Sequence, residues 1–350
     1  MRAAVYHWRE DVRIDDVPVP LGPGPGELLL EVLRCGICGT DVAEFQTGPH
    51  LIPRTPHPVT GRAVPLTIGH EFTGRVAAVG PGVQGYAAGD RAASSAVVPC
   101  GECRFCRRGQ SNLCERYHAL GLQADGGLAE FVRVPAASCA QVADGCSDEN
   151  AALTQPLAVA MHAFHQTPHR SGEAMLVLGA GGIGSLYLAV AKSRGRTVYV
   201  ADIDPLALRR SEALGADGVI DLRQEGLGDG LRRRTGEGTV ATLVECSGRD
   251  DALAAAATLV QRGGTLMLVG LQTRTVALDL HALVVNEVTV ATSQALVNAV
   301  DLPAAAGLLA ERDLAPMLVD RVIALEDLVG GGLVASAKGE VHGKVLIDPR

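Results

Sequence analysis

Two textures of hydrophobic patterning divide the chain. Over residues 1 to about 150, short apolar stretches alternate with turn-forming residues: LLLEVLRC (28–35), FTGRVAAVG (72–80), DRAASSAVV (90–98) and AEFVRVP (129–135), with a Pro- and Gly-rich connection, PLGPGPGE, at 20–27. Short strands between such turns predict an irregular β domain. From about residue 152 the period changes. AALTQPLAVAMHAFHQT (151–167) carries helical apolar spacing, with Pro156 as an early helix residue. AMLVLGAG (174–181) predicts a buried strand ending in glycines, followed by a helix over 182–194. The alternation continues with strand 197–203, helix 205–214, strand 218–222, strand 242–248, helix 250–261 and strand 265–270. That order predicts a parallel sheet with helices on both faces. The rest of the chain returns to mixed texture and ends on strand-like GKVLIDP (343–349).

Composition narrows the picture. The 350 residues are 47% apolar and 20% charged, enough to bury a sizeable core and unlike a disordered chain. Aromatics are only 3%, so the core must rest on Ala, Val and Leu. A net charge of −8 argues against a nucleic-acid or anionic-membrane binder, which needs a basic face. Arg supplies 28 of the 31 basic residues; the lysines are Lys192, Lys338 and Lys344. The opening MRAAVYHWREDVRIDD holds no apolar secretory core, and no apolar run approaches the ~20 residues of a membrane span. A cytoplasmic chain is expected. Of nine cysteines, four fall within residues 100–114, and clustered cysteines in a reducing compartment point to metal rather than disulfides.

Three motifs carry chemistry. Cys100, Cys103, Cys106 and Cys114 offer four thiolates at 2-2-7 spacing. Four soft ligands suit tetrahedral zinc, and a fully thiolate-ligated ion is structural because no position stays open. The spacing departs from the 2-2-3 run of iron–sulfur ferredoxins. Gly179-Ala180-Gly181-Gly182-Ile183-Gly184 is G-x-G-x-x-G; it follows a predicted strand, opens a predicted helix, and has Asp202 eighteen residues beyond Gly184. In that context it is the dinucleotide-binding fingerprint, with pyrophosphate at the helix N-terminus and Asp202 on the ribose hydroxyls. A carboxylate at 202 repels a 2′-phosphate, which favours NAD over NADP. Arg209 and Arg210 are read as a solvated helix face. Third, Cys38 with Thr40 and Asp41, and His70 with Glu71, bring a thiol, an imidazole and a carboxylate to the β domain. Such a trio can bind zinc and leave room for substrate, although the long spacing alone says little.

The chain resembles the zinc-dependent medium-chain alcohol and polyol dehydrogenases. The matching stretches are GICGTD (36–41), GHEFTGRVAAVG (69–80), GDR (89–91), the cysteine loop (100–114), GGLAEFVRVP (126–135), QPLAVAMHA (155–163), GAGGIG (179–184), ECSG (245–248) and GGTLMLVG (263–270), in family order over nearly the whole chain. Residues 48–72 look most like the 2,3-butanediol dehydrogenase branch, with sorbitol and threonine dehydrogenases as relatives. The resemblance implies α/β plus β architecture: a GroES-like catalytic domain from 1–152 and 296–350, and an inserted Rossmann NAD-binding domain at 153–295. It implies a catalytic zinc on Cys38, His70 and Glu71, with Gln155 as a further ligand position, and Thr40 as the residue passing the substrate proton. Val269 and Gly270 join Gly179, Gly181, Gly182, Ile183, Gly184 and Asp202 as expected cofactor-binding residues. Cys35 is expected to be packed, Asp41 to orient the site, and His162 and His165 to be packing or helix-face residues.

Two departures stand out. Gln155 replaces an anionic residue usual before the PLAV-type segment, and Ala43 replaces a relay histidine usual five residues after the catalytic cysteine. A neutral amide ligand leaves more positive charge on the metal, so a bound hydroxyl becomes more acidic. His50 or His57 on the following loop is a candidate substitute for the relay. The expected activity is reversible NAD-linked oxidation of a secondary alcohol, a diol, polyol or amino-alcohol, to the ketone. The expected assembly is a homodimer or homotetramer, with no nucleic-acid or membrane partner. The competing readings are a pathway-specific ketone or double-bond reductase with an altered zinc site, and a catalytically silent NAD-binding protein. The joint presence of Cys38, Thr40, His70 and Glu71 argues against silence.

Overall fold

In the computed structural model, residues 1–169, 172–272 and 274–350 are described. They fall into two compact units: Met1–Ala158 with Ala295–Arg350, and Val159–Gln294.

Along the first unit run β1 (Arg2–Trp8), β2 (Asp11–Asp16), β3 (Glu27–Gly36), α1 (Gly39–Thr47), β4 (Leu66–Thr67), β5 (Glu71–Val79), β6 (Arg91–Ser94), β7 (Val97–Val98), β8 (His118–Ala119), β9 (Phe131–Pro135), β10 (Cys139–Gln141) and α2 (Asp148–Ala151). The helix α3 (Thr154–Gln166) carries the chain into the second unit. There follow β11 (Met175–Leu178), α4 (Gly182–Ser193), β12 (Val198–Asp202), α5 (Pro205–Ala213), β13 (Gly218–Asp221), α6 (Leu227–Thr235), β14 (Val240–Glu245), α7 (Asp250–Ala257), β15 (Val260–Leu268), α8 (Leu280–Val285) and β16 (Thr289–Thr292). The chain returns to the first unit with α9 (Asp301–Glu311), α10 (Ala315–Leu318), β17 (Val319–Ala324), α11 (Ala335–Ala337) and β18 (Lys344–Asp348).

In the first unit the long strand β3 is the hub. It pairs antiparallel with β5, β9 and β18, and β18 pairs parallel with β17. Alternate residues Leu28, Leu30 and Val32 are buried with Phe72, Leu66, Ile68 and Leu128 in one apolar core. The pairing of β18 with β3 at Gly36 and Cys35 brings the C-terminal strand beside the start of α1. The predicted strand 90–98 is two strands, because Ala96 between them takes a positive φ of 57° and breaks the pleat.

The second unit is a parallel sheet in the order β13-β12-β11-β14-β15-β16. β11 and β14 are buried along their whole length, as central parallel strands between helices must be. The order reverses at β11, which makes its C-terminal end the switch point where ligands bind in doubly wound sheets. Unit 2 is therefore a Rossmann fold and unit 1 a β domain, the α/β-plus-β class that the patterning predicts. Helix α7 stops at Ala257 rather than 261. Val260 pairs with Val240, so strand pairing overrides the local helical preference of the Ala-rich stretch. No described helix is long and apolar enough to cross a membrane.

Candidate active site

The first cluster is assembled at the junction of β3, α1 and β5. Cys38 is the N-cap of α1, and its backbone N–H donates to Asp41 Oδ2 at 2.9 Å. Asp41, third in the helix, thus closes the first turn by reaching back to the cap. The cap holds Cys38 Sγ 3.7 Å from Thr40 Oγ1. His70 and Glu71 lead into β5, whose first residue pairs with Gly36 of β3. The ligand atoms of Cys38, His70 and Glu71 lie within 4.8 Å of one another. His70, Glu71 and Asp41 are all buried.

The electrostatics of this pocket are crowded. His70 Nδ1 faces Asp41 Oδ1 at 3.4 Å, and among the described residues both atoms are buried without a hydrogen bond of sound geometry. Burial disfavours the imidazolium, but the Asp41 carboxylate and the Cys38 thiol outweigh it and hold the His70 pKa well above its ordinary value. Burial pushes the Cys35 thiol well up, so this neighbouring cysteine is a packed, inert group. A soft thiolate, an imidazole and a carboxylate converging in a buried pocket with unsatisfied polar atoms fit a zinc ion.

The structure adds a residue that sequence reasoning missed. Lys344, the first residue of β18, sends Nζ to both carboxylate oxygens of Glu71, at 2.9 and 2.6 Å, and to the Ile37 carbonyl at 3.2 Å. Burial pulls the Lys344 pKa down, yet the Glu71 carboxylate more than compensates and leaves it raised. Space for this pair depends on Gly36, where a Cβ would stand 2.6 Å from Glu71 Oε2. The one available signal was that Lys344 is among only three lysines and directly precedes the apolar run Val345-Leu346-Ile347.

Of the other residues singled out in the sequence, Gln155 is the second residue of α3 and is half-buried. Ala43 lies in the middle of α1. His50 Nε2 hydrogen-bonds Thr47 Oγ1 at 2.8 Å, and that hydroxyl donates to the Ala43 carbonyl at 3.1 Å, so His50 stands at the end of α1. The buried Glu44 carboxylate accepts the N–H groups of His50 and Leu51 at 2.9 and 2.6 Å and fixes the loop there. His57 Nδ1 instead accepts the N–H groups of Val59 and Thr60 and closes its own turn. His162 is buried in α3, and His165 on the same helix is exposed.

The second cluster is the loop of Cys100, Cys103, Cys106 and Cys114, whose four Sγ atoms also lie within 4.8 Å of one another. Backbone N–H groups point at sulfur: Cys100 N at Cys114 Sγ (3.2 Å), Cys103 N at Cys100 Sγ (3.4 Å) and Arg116 N at Cys114 Sγ (3.3 Å). Hydrogen bonding from Arg116 draws the Cys100 thiol down to about 6, while burial and the neighbouring thiols push Cys106 up to about 12. Four thiols at this separation cannot all ionise without a cation among them, and the N–H···S pattern favours thiolate. The donor set fits a closed, structural zinc.

In the second unit the fingerprint turn joins β11 to α4. Gly179 has φ +92° and no room for a side chain, since a Cβ would meet Ser247 N at 2.7 Å. At Gly184 a Cβ would stand 1.8 Å from the Gly179 carbonyl. At Gly181, the N-cap of α4, and at Gly182 nothing lies within 4 Å, so the open side faces away from the sheet and backbone N–H groups are accessible to a phosphate. Ile183 follows in the first turn of α4. Asp202, at the end of β12, accepts Ala180 N–H at 2.6 Å and Asp204 N–H at 2.8 Å, which ties the turn to the neighbouring strand. The N–H groups of Val269 and Gly270 both donate to the Glu245 carbonyl at 2.9 Å. A cradle with these clearances fits a dinucleotide.

The chain is similar to known proteins in both units. The alcohol dehydrogenase GroES-like domain matches residues 24–144, and the zinc-binding dehydrogenase domain matches residues 182–311. The chain is 32% identical over 354 residues to (R,R)-butanediol dehydrogenase of Bacillus subtilis (strain 168), covering 100% of both chains. It is 32% identical over 293 residues to sorbitol dehydrogenase of the same organism, covering 83% of this chain and 81% of that one. The crystal structure of 2R,3R-butanediol dehydrogenase from Bacillus subtilis matches with a TM-score of 0.91 at 31% identity, covering 100% of this chain and 99% of that one.

Proposed function

This chain belongs to the zinc-dependent medium-chain alcohol and polyol dehydrogenases, with zinc and NAD as cofactors and NAD-linked oxidation of a secondary alcohol as its reaction; we propose that the substrate is a vicinal diol, polyol or amino-alcohol, and that Cys38, His70, Glu71 and Gln155 hold the catalytic zinc. The observation that carries this reading is the convergence of Cys38, His70 and Glu71 within 4.8 Å, with the Thr40 hydroxyl 3.7 Å from Cys38 Sγ. The second polar group of the substrate is inferred from the relatives, which act on butanediol and sorbitol.

When bound, zinc supplies Lewis-acid stabilisation of the substrate oxygen and NAD accepts the hydride. The chain's own residues do the rest. Thr40 accepts the hydroxyl proton at Oγ1 and hands it on. His50 is the better placed substitute for the missing relay, because it reaches the end of α1 whereas His57 is committed to its own turn. The Asp41 carboxylate, 3.4 Å from His70 Nδ1, orients the imidazole electrostatically within the pocket. Lys344 balances the charge of Glu71 in the pocket. Gly179, Gly181, Gly182, Ile183 and Gly184 cradle the pyrophosphate, Asp202 takes the adenosine ribose, and Val269 and Gly270 border the cofactor. Cys100, Cys103, Cys106 and Cys114 hold the structural zinc.

The test is NADH formation with zinc-loaded enzyme across vicinal diols, polyols, amino-alcohols and simple secondary alcohols. The expected result is a kcat/KM at least about tenfold higher for a substrate with a second polar carbon. Equal values for the simple alcohols would refute the substrate class, and no turnover across the panel would refute the site.

We also propose a cytoplasmic homodimer or homotetramer. The nine unpaired cysteines suit a reducing compartment. In unit 2 the edge strand β16 exposes Val290, and α8 beside it exposes Leu280, Val284 and Val285. An uncovered edge strand with apolar neighbours is an association surface. Light scattering on the purified chain should give two or four chain masses; a monomer would refute the proposal.

A further inference from the structure

One buried carboxylate in the second unit has no part in the roles above. Glu245 ends β14 with no solvent exposure. Its Oε1 accepts Ser247 N–H at 2.7 Å, Gly248 N–H at 3.0 Å and the Ser247 hydroxyl in a short hydrogen bond. Its Oε2 accepts the Gln272 side-chain amide at 2.9 Å. Its backbone carbonyl accepts the N–H groups of Val269 and Gly270. A single residue thus ties the loop after β14 (246–248) to the loop after β15 (269–272).

Both loops leave no slack. Gly248 takes φ +66°. A Cβ on Gly270 would stand 2.5 Å from Gly248 N and 2.6 Å from Glu245 Oε2. On its other side the 246–248 loop abuts the fingerprint turn: Cys246 N–H donates to the Leu178 carbonyl at 2.8 Å, and Ser247 sits where a Gly179 side chain would be. A buried carboxylate is costly, and it is retained here by four directed donors.

The position of these loops relative to the cofactor follows from topology. The pyrophosphate lies over the β11–α4 turn and the adenosine ribose over Asp202 of β12. β14 and β15 lie on the opposite side of β11 from β12. The second nucleotide half must run that way, over the C-terminal ends of β14 and β15. We propose that Glu245 is a positioning residue that presets loops 246–248 and 269–272 to receive the nicotinamide half of the dinucleotide. The proposal rests on the assignment of the fingerprint turn to the cofactor. It assigns Glu245, Ser247, Gly248 and Gln272 as one unit.

The test compares two ligands on the full-length protein. ADP-ribose carries the adenosine half and pyrophosphate but lacks nicotinamide, whereas NADH carries both. Glu245→Gln places an amide N–H₂ against donors, and Gln272→Ala removes one arm at a half-buried position. Both variants should weaken NADH binding, by about tenfold for Glu245→Gln and about threefold for Gln272→Ala, with ADP-ribose binding changed less than about twofold. Amide hydrogen exchange of the ligand-free variants should rise in 246–248 and 269–272 while β11 and β12 stay protected. Equal losses for both ligands, or no loss for either, would overturn the proposal while leaving the cofactor assignment intact. Wild-type protein that binds neither ligand would overturn the cofactor assignment and this proposal with it.

Discussion

Lys344→Met tests whether the Lys344–Glu71 pair is a charge-balancing element of the metal pocket. The ammonium lies 2.6 and 2.9 Å from the two oxygens, and the side chains are only 12% and 2% exposed. At an effective dielectric of ~20, unit charges this close attract by about 6 kcal/mol, and desolvation of both groups offsets much of that. Removing one partner leaves the other charge buried, which typically costs about 3–5 kcal/mol. Lys344→Met should therefore destabilise unit 1 by about that amount, Glu71→Gln by somewhat less, and the double variant by less than the sum. The expected coupling is about 2–3 kcal/mol. Trp8, the only tryptophan, lies in unit 1, so its fluorescence during urea unfolding of chelator-treated protein reports the relevant transition. Single-variant costs that add to within about 0.5 kcal/mol would refute the coupling. The same variants repeated with saturating zinc separate the pair's own contribution from metal linkage.

Further outcomes are expected from the remaining site residues. Purified protein should carry two zinc ions per chain by elemental analysis; Cys38→Ser should lose one and Cys103→Ser the other, and one ion in the wild type would contradict the two-site reading. Gln155→Glu should slow extraction of the Cys38-site ion by a chelator, because an anionic ligand binds more strongly than an amide. Thr40→Ala should lower kcat by about 100-fold or more, with Thr40→Ser restoring most of it, in steady-state NADH assays; equal rates for Ala and Ser would rule out the hydroxyl. Asp202→Gly should relax the NAD preference in ratios of kcat/KM with NAD and NADP, and an unchanged ratio would show that the carboxylate only braces the Ala180 turn.

The motifs legible in the sequence are those whose parts are close along the chain. The four-cysteine loop closes within fifteen residues, and the fingerprint turn is one strand–turn–helix unit, so spacing alone specifies the geometry. The βα alternation of 174–270 was legible for the same reason, since each element buries a face through its own period. Helix α1 was not, because GTDVAEFQT holds weak helix formers. It exists through the Cys38–Asp41 cap and the burial of Phe45 in the β-domain core.

By itself the sequence nominated the candidates for chemistry: Cys38, Thr40, His70 and Glu71 in the β domain, the cysteine loop, and the glycine turn with Asp202. Tertiary structure alone decided which charges those residues meet. Lys344 reaches Glu71 across 273 positions because β18 pairs with β3 beside Gly36. Glu245 joins two loops because β14 and β15 are neighbours in a parallel sheet. Backbone pairing between distant strands sets these contacts, and no local period or spacing encodes it. Electrostatic balance in a buried pocket is therefore a property of the fold, whereas ligand identity is a property of the sequence.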